Sequence, residues 1–349
     1  MRQNIDLLII NNCPSFYKVN LYNELSRRCN IHVIFIGLTN QVVINTEYKK
    51  DILFSYEILS EIQIEKRNRF LSIIKLYRIQ NQFNYKKLIY GGYNDLEERI
   101  LIWFTPKSKN CLQFESSIKE SKTLGIVSIV KKIILCRFSI VLPCGKLQAD
   151  VFKALNFTGK IIETKGVGLF NKQLLPSFSK KEAVVDFKYL YVGRLISIKN
   201  IEFIIGVFNR SGKSLTIVGT GVLETALKKI ANSNIKFIGF VPNNEIANIY
   251  IDHDVFLLPS LSETWGLVVE EAIHYGLPVL VSDAVGSQFD MVIKSNTGIV
   301  FSPFSEESLE SSIIEIESKY DLYKSNCLNF DSIGRDKEQV EAYIKLLSL

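Results

Sequence analysis

Short apolar runs alternate with amphipathic stretches along almost the whole chain, and their spacing predicts strands joined by helices. Ile5 to Ile10 reads as a fully buried strand, followed by a helix from about Lys18 to Arg28 and a second strand, Ile31 to Ile36. More strands are expected at Leu53 to Glu57, Lys87 to Tyr90, Leu112 to Glu115, Ser139 to Leu142 and Lys160 to Glu163. Gly166 to Lys181, with Pro176 and several Ser and Lys, reads as a linker. A second series then opens with Phe187 to Val192 and continues at Leu215 to Gly219, Ile235 to Ile238, Val255 to Leu258, Val279 to Ser282 and Ile299 to Phe301. Helices are expected opening at Ile198-Lys199-Asn200 and running to about Asn209, up to Ile230, from about Asn243 to Ile251, at Leu267 to Tyr275, from about Glu306 to Tyr323 and, past a break at Gly334, at Lys337 to Leu347.

Alternating strands and helices imply parallel sheets covered on both faces. The chain's 349 residues exceed what one core of about 250 to 300 residues accommodates. Two α/β domains are therefore expected, at 1–170 and 182–330, with a C-terminal helix, 335–349, packing back on the first.

Composition is that of a globular protein, 47% hydrophobic and 22% charged. Six cysteines without a C-x-x-C pair, and three histidines, point away from a zinc cluster or a disulfide framework. The longest apolar region, Gly125 to Leu142, is broken by Lys131, Lys132 and Arg137, and Leu7 to Ile10 is too short for a signal core, so a cytoplasmic location is expected. Charge is uneven: residues 1–170 hold 25 Lys and Arg against 14 Asp and Glu, whereas 171–349 hold 17 against 22. The stretch Glu65 to Arg78 mixes cations with apolar and aromatic residues at helical spacing, which suits either an anionic membrane surface, as a peripheral partner, or a solvated basic face over a core stripe. No nucleic-acid motif accompanies the charge.

The chemistry concentrates in Pro259 to Gly286, where a strand end, a polar loop, a helix start and a second strand follow one another. Free N–H groups around Gly266, Leu267 and Val268 offer an anion site at a helix N-terminus, and Gly266 lets a ligand approach the backbone. Glu263 and Glu271 flank it, and carboxylates accept from hydroxyls, so a phosphate with sugars on both sides, a nucleotide sugar, fits. Taken singly, each residue has an ordinary explanation: a solvated helix face for Glu271, a turn for Gly266. Arg194 and Lys199, at a strand end and a helix start, match a diphosphate, and the loop Gly239-Phe240-Val241-Pro242 suits backbone contacts to a nucleobase. Asp252-His253-Asp254 matches Asp-x-Asp but lies at a strand entry, opposite the ligand edge, so no metal role is expected. In the first half, the loops carrying Pro14 and Ser15, Gly92 and Tyr93, and Glu115 fall at strand carboxyl ends, where doubly wound sheets place ligands. A Gly-x-Gly-x-x-Gly fingerprint is lacking, which argues against a dinucleotide fold.

The order Tyr191-Val192-Gly193-Arg194-Leu195, Lys199-Asn200, Val218-Gly219-Thr220-Gly221, Gly239-Phe240-Val241, Leu258-Pro259-Ser260, Glu263 through Gly266-Leu267 to Glu271-Ala272, and Gly276-Leu277-Pro278-Val279 resembles the retaining glycosyltransferases of family four. The likeness covers roughly 185–302 and implies the GT-B fold, two Rossmann-like doubly wound domains facing a cleft. It implies that Arg194 and Lys199 hold the donor diphosphate, that Glu271 binds the ribose, and that Glu263 sits against the transferred sugar, with Gly219, Phe240, Val241, Thr264, Trp265, Gly266, Leu267 and Val268 completing the donor site. Glu263, Arg194 and Lys199 would be the catalytic set. No metal or other cofactor is then expected, and the partners are a nucleotide-sugar donor and a glycan or lipid-linked glycan acceptor in assembly of capsule, O-antigen or lipopolysaccharide. Many relatives carry a Gly-rich loop after the first strand and a histidine near the sugar. This chain has Asn11 to Ser15 and, in its first half, His32 alone, inside a predicted strand. A nucleotide-sugar epimerase, which would act on donor alone, and a non-catalytic membrane-associated binding module are the competing expectations.

Overall fold

The computed structural model describes residues 2–38, 51–173, 186–243 and 245–349. The chain divides into two compact units, one made of Met1–Phe170 with Ile333–Leu349, the other of Asn171–Ser332. Each is a parallel sheet with helices on both faces.

In the first unit, β1 (Gln3–Asn11), β2 (Ile31–Phe35), β3 (Ser55–Ile58), β4 (Phe83–Tyr90), β5 (Asn110–Phe114), β6 (Ile140–Pro143) and β7 (Lys160–Ile161) lie in the order β3-β2-β1-β4-β5-β6-β7. Every pairing is parallel. The strands at the centre are apolar on both sides because each side faces helices. Leu8, Ile10, Leu88 and Leu112 belong to a core shared with Leu76, Leu101 and Phe152 from the helices of one face. Leu7, Ile9 and Ile89 belong to the other, with Val19, Leu21 and Leu25 of the helix Phe16–Ser26. The C-terminal segment is part of this second core through Val340, Tyr343 and Leu346.

In the second unit, β8 (Lys188–Val192), β9 (Ser214–Val218), β10 (Ile235–Gly239), β11 (Val255–Leu258), β12 (Val279–Ser282) and β13 (Gly298–Phe301) lie in the order β10-β9-β8-β11-β12-β13, again all parallel. Strand order reverses direction between β8 and β11, and in the first unit between β1 and β4. Crevices at the carboxyl ends of such strand pairs are where open α/β sheets bind ligands.

Several expected elements differ. The stretch read as a linker starts as packed chain: Val167, Leu169 and Phe170 are buried, and the Leu169 N–H donates to the Tyr17 carbonyl at 2.9 Å. Its remainder, 174–181, lies outside the described residues. The helix expected over Glu306 to Tyr323 is two, Glu306–Ser318 and Tyr320–Leu328, interrupted where Lys319 leaves helical geometry at φ −114° and ψ 23°. Gly334 is no break, because it lies inside the helix Ser332–Ile344. The helix placed from Asn243 begins at Ile246. Glu65 to Arg78 splits into a short 3-10 turn, Ile64–Lys66, and a helix, Arg69–Gln80, capped by the Asn68 side chain, which accepts from the Leu71 N–H. Arg67, expected on the basic surface, is buried and donates to Glu97 and Asp95, both at 2.7 Å.

Candidate functional site

The β8 and β11 ends supply two loops that the backbone ties together. After β8, Gly193-Arg194-Leu195 turns toward the 3-10 turn Ser197–Lys199, and Asn200 adopts φ +55° to start the helix Ile201–Ser211. The neighbouring β9 loop packs so closely that a Cβ on Gly219 would lie 2.0 Å from the Gly193 carbonyl oxygen, and one on Gly221 2.3 Å from that of Leu195. Gly219 is therefore a packing requirement as well as a loop residue. The Leu261 N–H donates to the Ile198 carbonyl at 2.8 Å, which docks the β11 loop on the β8 loop.

That docking brings two of the expected residues into contact. The Lys199 ammonium donates to Glu263 Oε2, with both side chains largely but not wholly buried. Glu263 is held from behind: it bridges Val285 in parallel register, and its carbonyl accepts from the Gly286 N–H at 2.8 Å. Gly266 caps the helix Leu267–His274 at φ +88° and ψ 67°, a left-handed conformation that glycine adopts without strain. The helix N-terminus thus sits beside the Lys199–Glu263 pair, where Leu267 and Val268 supply its first N–H groups. Arg194 is exposed, on the loop that also carries Lys199, and its carbonyl accepts from the buried Tyr191 hydroxyl at 3.1 Å. Burial and the nearby Glu263 carboxylate raise the Tyr191 pKa, so Tyr191 stays a neutral donor.

Glu271 is on the same helix, one residue past the buried Glu270. Tyr250 donates its hydroxyl to Glu271 Oε2 at 2.8 Å. Burial pushes the Glu271 pKa from 4.5 up to about 7; the Tyr250 hydrogen bond opposes this and the neighbouring Glu270 adds to it. A carboxyl titrating near neutrality at a sheet switch point is a mark of functional sites. Trp265 is placed differently from what a ligand-facing loop residue would suggest: its ring is buried and its N–H donates to Glu270 Oε1 at 2.6 Å. It props the loop from inside. Thr264 and Phe240 are exposed and Val241 is partly so, the latter two just past Gly239 at φ +84°. Tyr250 and Glu270 escaped the sequence reading, because a hydroxyl on one helix meeting a carboxylate on another leaves no periodic signal.

Asp252-His253-Asp254 is structural. The Asp254 carboxylate accepts from the Lys188 N–H at 3.0 Å and its N–H donates to the Lys188 carbonyl, at the amino ends of β8 and β11. Among the described residues no cluster of three or more His, Cys, Asp or Glu is arranged to hold a metal.

In the first unit the expected residues gather at the carboxyl ends of β1, β4 and β5. Pro14 and Ser15 are buried at the start of the helix Phe16–Ser26. The Lys18 ammonium, in that helix's first turn, donates to Glu115 Oε1 at 2.5 Å and links the β1 and β5 ends. Between them, the Gly91 N–H donates to the Ile10 carbonyl at 2.7 Å, and Tyr93 stacks on Phe114 with centroids 6.2 Å apart. Beside Gly92 lies Glu98, a fully buried carboxyl held well above its ordinary pKa by burial. His32 is a core residue of β2: it stacks on Phe83 at 4.3 Å, its Nδ1 shares a hydrogen bond with Ser55 Oγ, and burial lowers its pKa to about 4.

Comparison with known proteins agrees with this layout. Residues 177–327, within the second unit, match the family model described as glycosyl transferases group 1. An uncharacterized 41.2 kDa protein in the cps region of Klebsiella pneumoniae is 28% identical over 45% of this chain and 45% of its own length. This chain spans less than half the length of the first curated relatives it matches. Solved structures match almost throughout. The lipopolysaccharide outer core galactosyltransferase WaaB superposes with a TM-score of 0.70 at 14% identity, covering 97% of this chain and 99% of that one. Anabaena HepE, solved in complex with UDP and glucose, superposes at 0.70 and 15% identity, covering 99% and 100%. The fold is GT-B, with sheets of seven and six strands.

Proposed function

We propose that the protein is a retaining glycosyltransferase that moves a sugar from a nucleotide-sugar donor to a glycan or lipid-linked glycan in surface polysaccharide assembly. The observation that carries this reading is the meeting of Lys199 and Glu263 across two loops, directly beside the helix N-terminus at Gly266. In this reading Arg194, Lys199 and the N–H groups of Leu267 and Val268 bind the diphosphate. Glu271 accepts from the ribose hydroxyls, the backbone around Phe240 and Val241 meets the base, and Glu263 accepts from a hydroxyl of the transferred sugar. The Lys199–Glu263 contact is a resting pair that the donor divides between its phosphate and its sugar. UDP in the HepE structure supports a uridine donor as the first to test.

The reaction then breaks the bond between the anomeric carbon and the phosphate oxygen, and the electron pair leaves with the nucleoside diphosphate. The acceptor oxygen bonds to the same face of the anomeric carbon, and its proton passes to a phosphate oxygen. Negative charge grows on the diphosphate as it departs. Two cations and a helix N-terminus stabilise that charge more in the transition state than in the ground state. The acceptor is assigned to the first unit, at the loops carrying Pro14, Ser15, Gly92, Tyr93 and Glu115.

Turnover of UDP- and GDP-sugars, with and without added glycan acceptors, tests this. Arg194→Ala and Lys199→Ala should each lower transfer at least tenfold with unchanged circular dichroism. Wild-type activity in both variants would sink the assignment. Product formed from donor alone would instead mark an epimerase.

A further inference from the structure

The helix Gly125–Leu135 packs against its unit mainly through Ser128, Ile134 and Leu135 and leaves most of its apolar side chains outward. Its sequence, GIVSIVKKIIL, has apolar side chains at seven of eleven positions, yet the residues it buries are Ser128 and Leu135. Ile126 is 81% exposed, Ile129 57% and Ile133 51%, and Leu124 just before the helix is 86% exposed. At 100° per residue, Ile126, Ile129, Val130 and Ile133 fall on one outward stripe while Ser128 and Leu135 point inward. Soluble proteins rarely leave so continuous an apolar stripe on the surface unless something covers it.

The chain segment that carries the stripe has one sign of charge. No Asp or Glu occurs between Glu120 and Asp150, whereas Lys122, Lys131, Lys132 and Arg137 do, and Lys146 is paired with Asp150 at 2.6 Å. Beside the helix's C-terminal end is a pocket of about 200 Å³ whose lining includes Lys107, Lys132, Asn156 and Thr158 and no carboxylate. Leu135, Phe138, Leu155 and Phe157 also line it, so cations and apolar groups meet there. Arg137, two residues past the helix, lies over the ring of Trp103 at 5.3 Å, and Trp103 is 50% exposed. An apolar stripe, flanking cations and a half-exposed tryptophan together describe an interfacial helix.

We infer that this face docks the protein on a bilayer containing anionic phospholipid, with the isoleucine stripe in the acyl boundary and the cations at the headgroups. Charge decides this occupant over a second copy of the chain, since two copies meeting through this face would bring like-charged flanks together. The docking element is the helix Gly125–Leu135 and its neighbours, distinct from the stretch Glu65 to Arg78, whose sequence pattern suits either a membrane surface or a solvated basic face. This surface is independent of the donor site, so either assignment stands if the other fails.

Flotation of the full chain with phosphatidylcholine vesicles, with and without about 30 mol% phosphatidylglycerol, tests the inference. Binding is expected to the anionic vesicles, with quenching of Trp103 by brominated lipid; the other tryptophan, Trp265, is buried. Ile129→Glu combined with Ile133→Glu should lower the bound fraction at least tenfold while leaving thermal stability and turnover of a water-soluble acceptor unchanged. Lys132→Glu should weaken binding to anionic vesicles at low salt. Absence of wild-type binding, or equal binding by the Glu variants, overturns the inference. So does a dimer in sedimentation velocity that the same Glu variants dissociate, which would assign the face to a second copy.

Discussion

Glu271 shows most directly how one residue's surroundings set its chemistry. Burial penalises its charge and pushes its pKa up to about 7, against the Tyr250 hydroxyl and the charge of Lys172. In the proposed donor site a ribose hydroxyl would donate to the ionised form, so nucleotide affinity should rise as pH increases from about 6 to about 8, by up to about tenfold. Glu271→Gln should abolish that part of the dependence; the ligand's own phosphate titration persists in the variant and is subtracted by the comparison. Calorimetric titration with UDP at both pH values checks it, and equal slopes in the two proteins would remove Glu271 from the site. The same shift acts on stability. The unfolded chain ionises this carboxyl near 4.5 and the folded one near 7, so it destabilises the native state progressively across that window, and Glu271→Gln should gain stability relative to wild type as pH rises through it.

At the scale of elements, the site depends on loops held in place by their backbones. Gly266 is the clearest case: an alanine Cβ there would lie 3.2 Å from Glu263 Cγ and 3.3 Å from Val285 Cγ1, on a backbone at φ +88°. Gly266→Ala should therefore cost about 1–2 kcal/mol, lower Tm by a few degrees, and weaken nucleotide binding by displacing Glu263. Unchanged Tm and binding would show that the loop tolerates a side chain there. The elements of this unit were legible because its strands are short, mostly apolar runs, four of which, β8 to β11, end at or just before Gly or Pro, a signal that sequence carries by itself. Boundaries were less so. Nothing local marks Lys319 as an interruption, and Gly334 is carried inside a helix whose far end, at Val340 and Tyr343, is buried in the first unit's core. Arrangements formed by tertiary contact were not legible either. Trp265 looked like a loop residue open to ligand, and it folds inward because Glu270, five residues on, offers its N–H a buried acceptor.

For the whole molecule, the two units differ in how much of their function the sequence carries. The donor site proposed for the second unit rests on residue types at fixed spacings, so Arg194, Lys199, Glu263 and Glu271 could be grouped in advance. The first unit has the same sheet logic, but its strand-end residues, such as the Lys18–Glu115 pair and the buried Glu98, are brought together from separate helices and strands. The outward stripe of Gly125–Leu135 was hidden for a related reason. An apolar helix reads as core until the fold reveals which side is covered. The central claim, a nucleotide-sugar donor site at the β8 and β11 ends, is tested most directly by calorimetric titration of UDP- and GDP-sugars into the wild-type protein and into Lys199→Ala and Glu271→Gln. At least one nucleotide sugar should bind the wild type and bind each variant at least tenfold more weakly, about 1.4 kcal/mol. Failure of every nucleotide sugar to bind the wild type, or wild-type affinity in both variants, would contradict it.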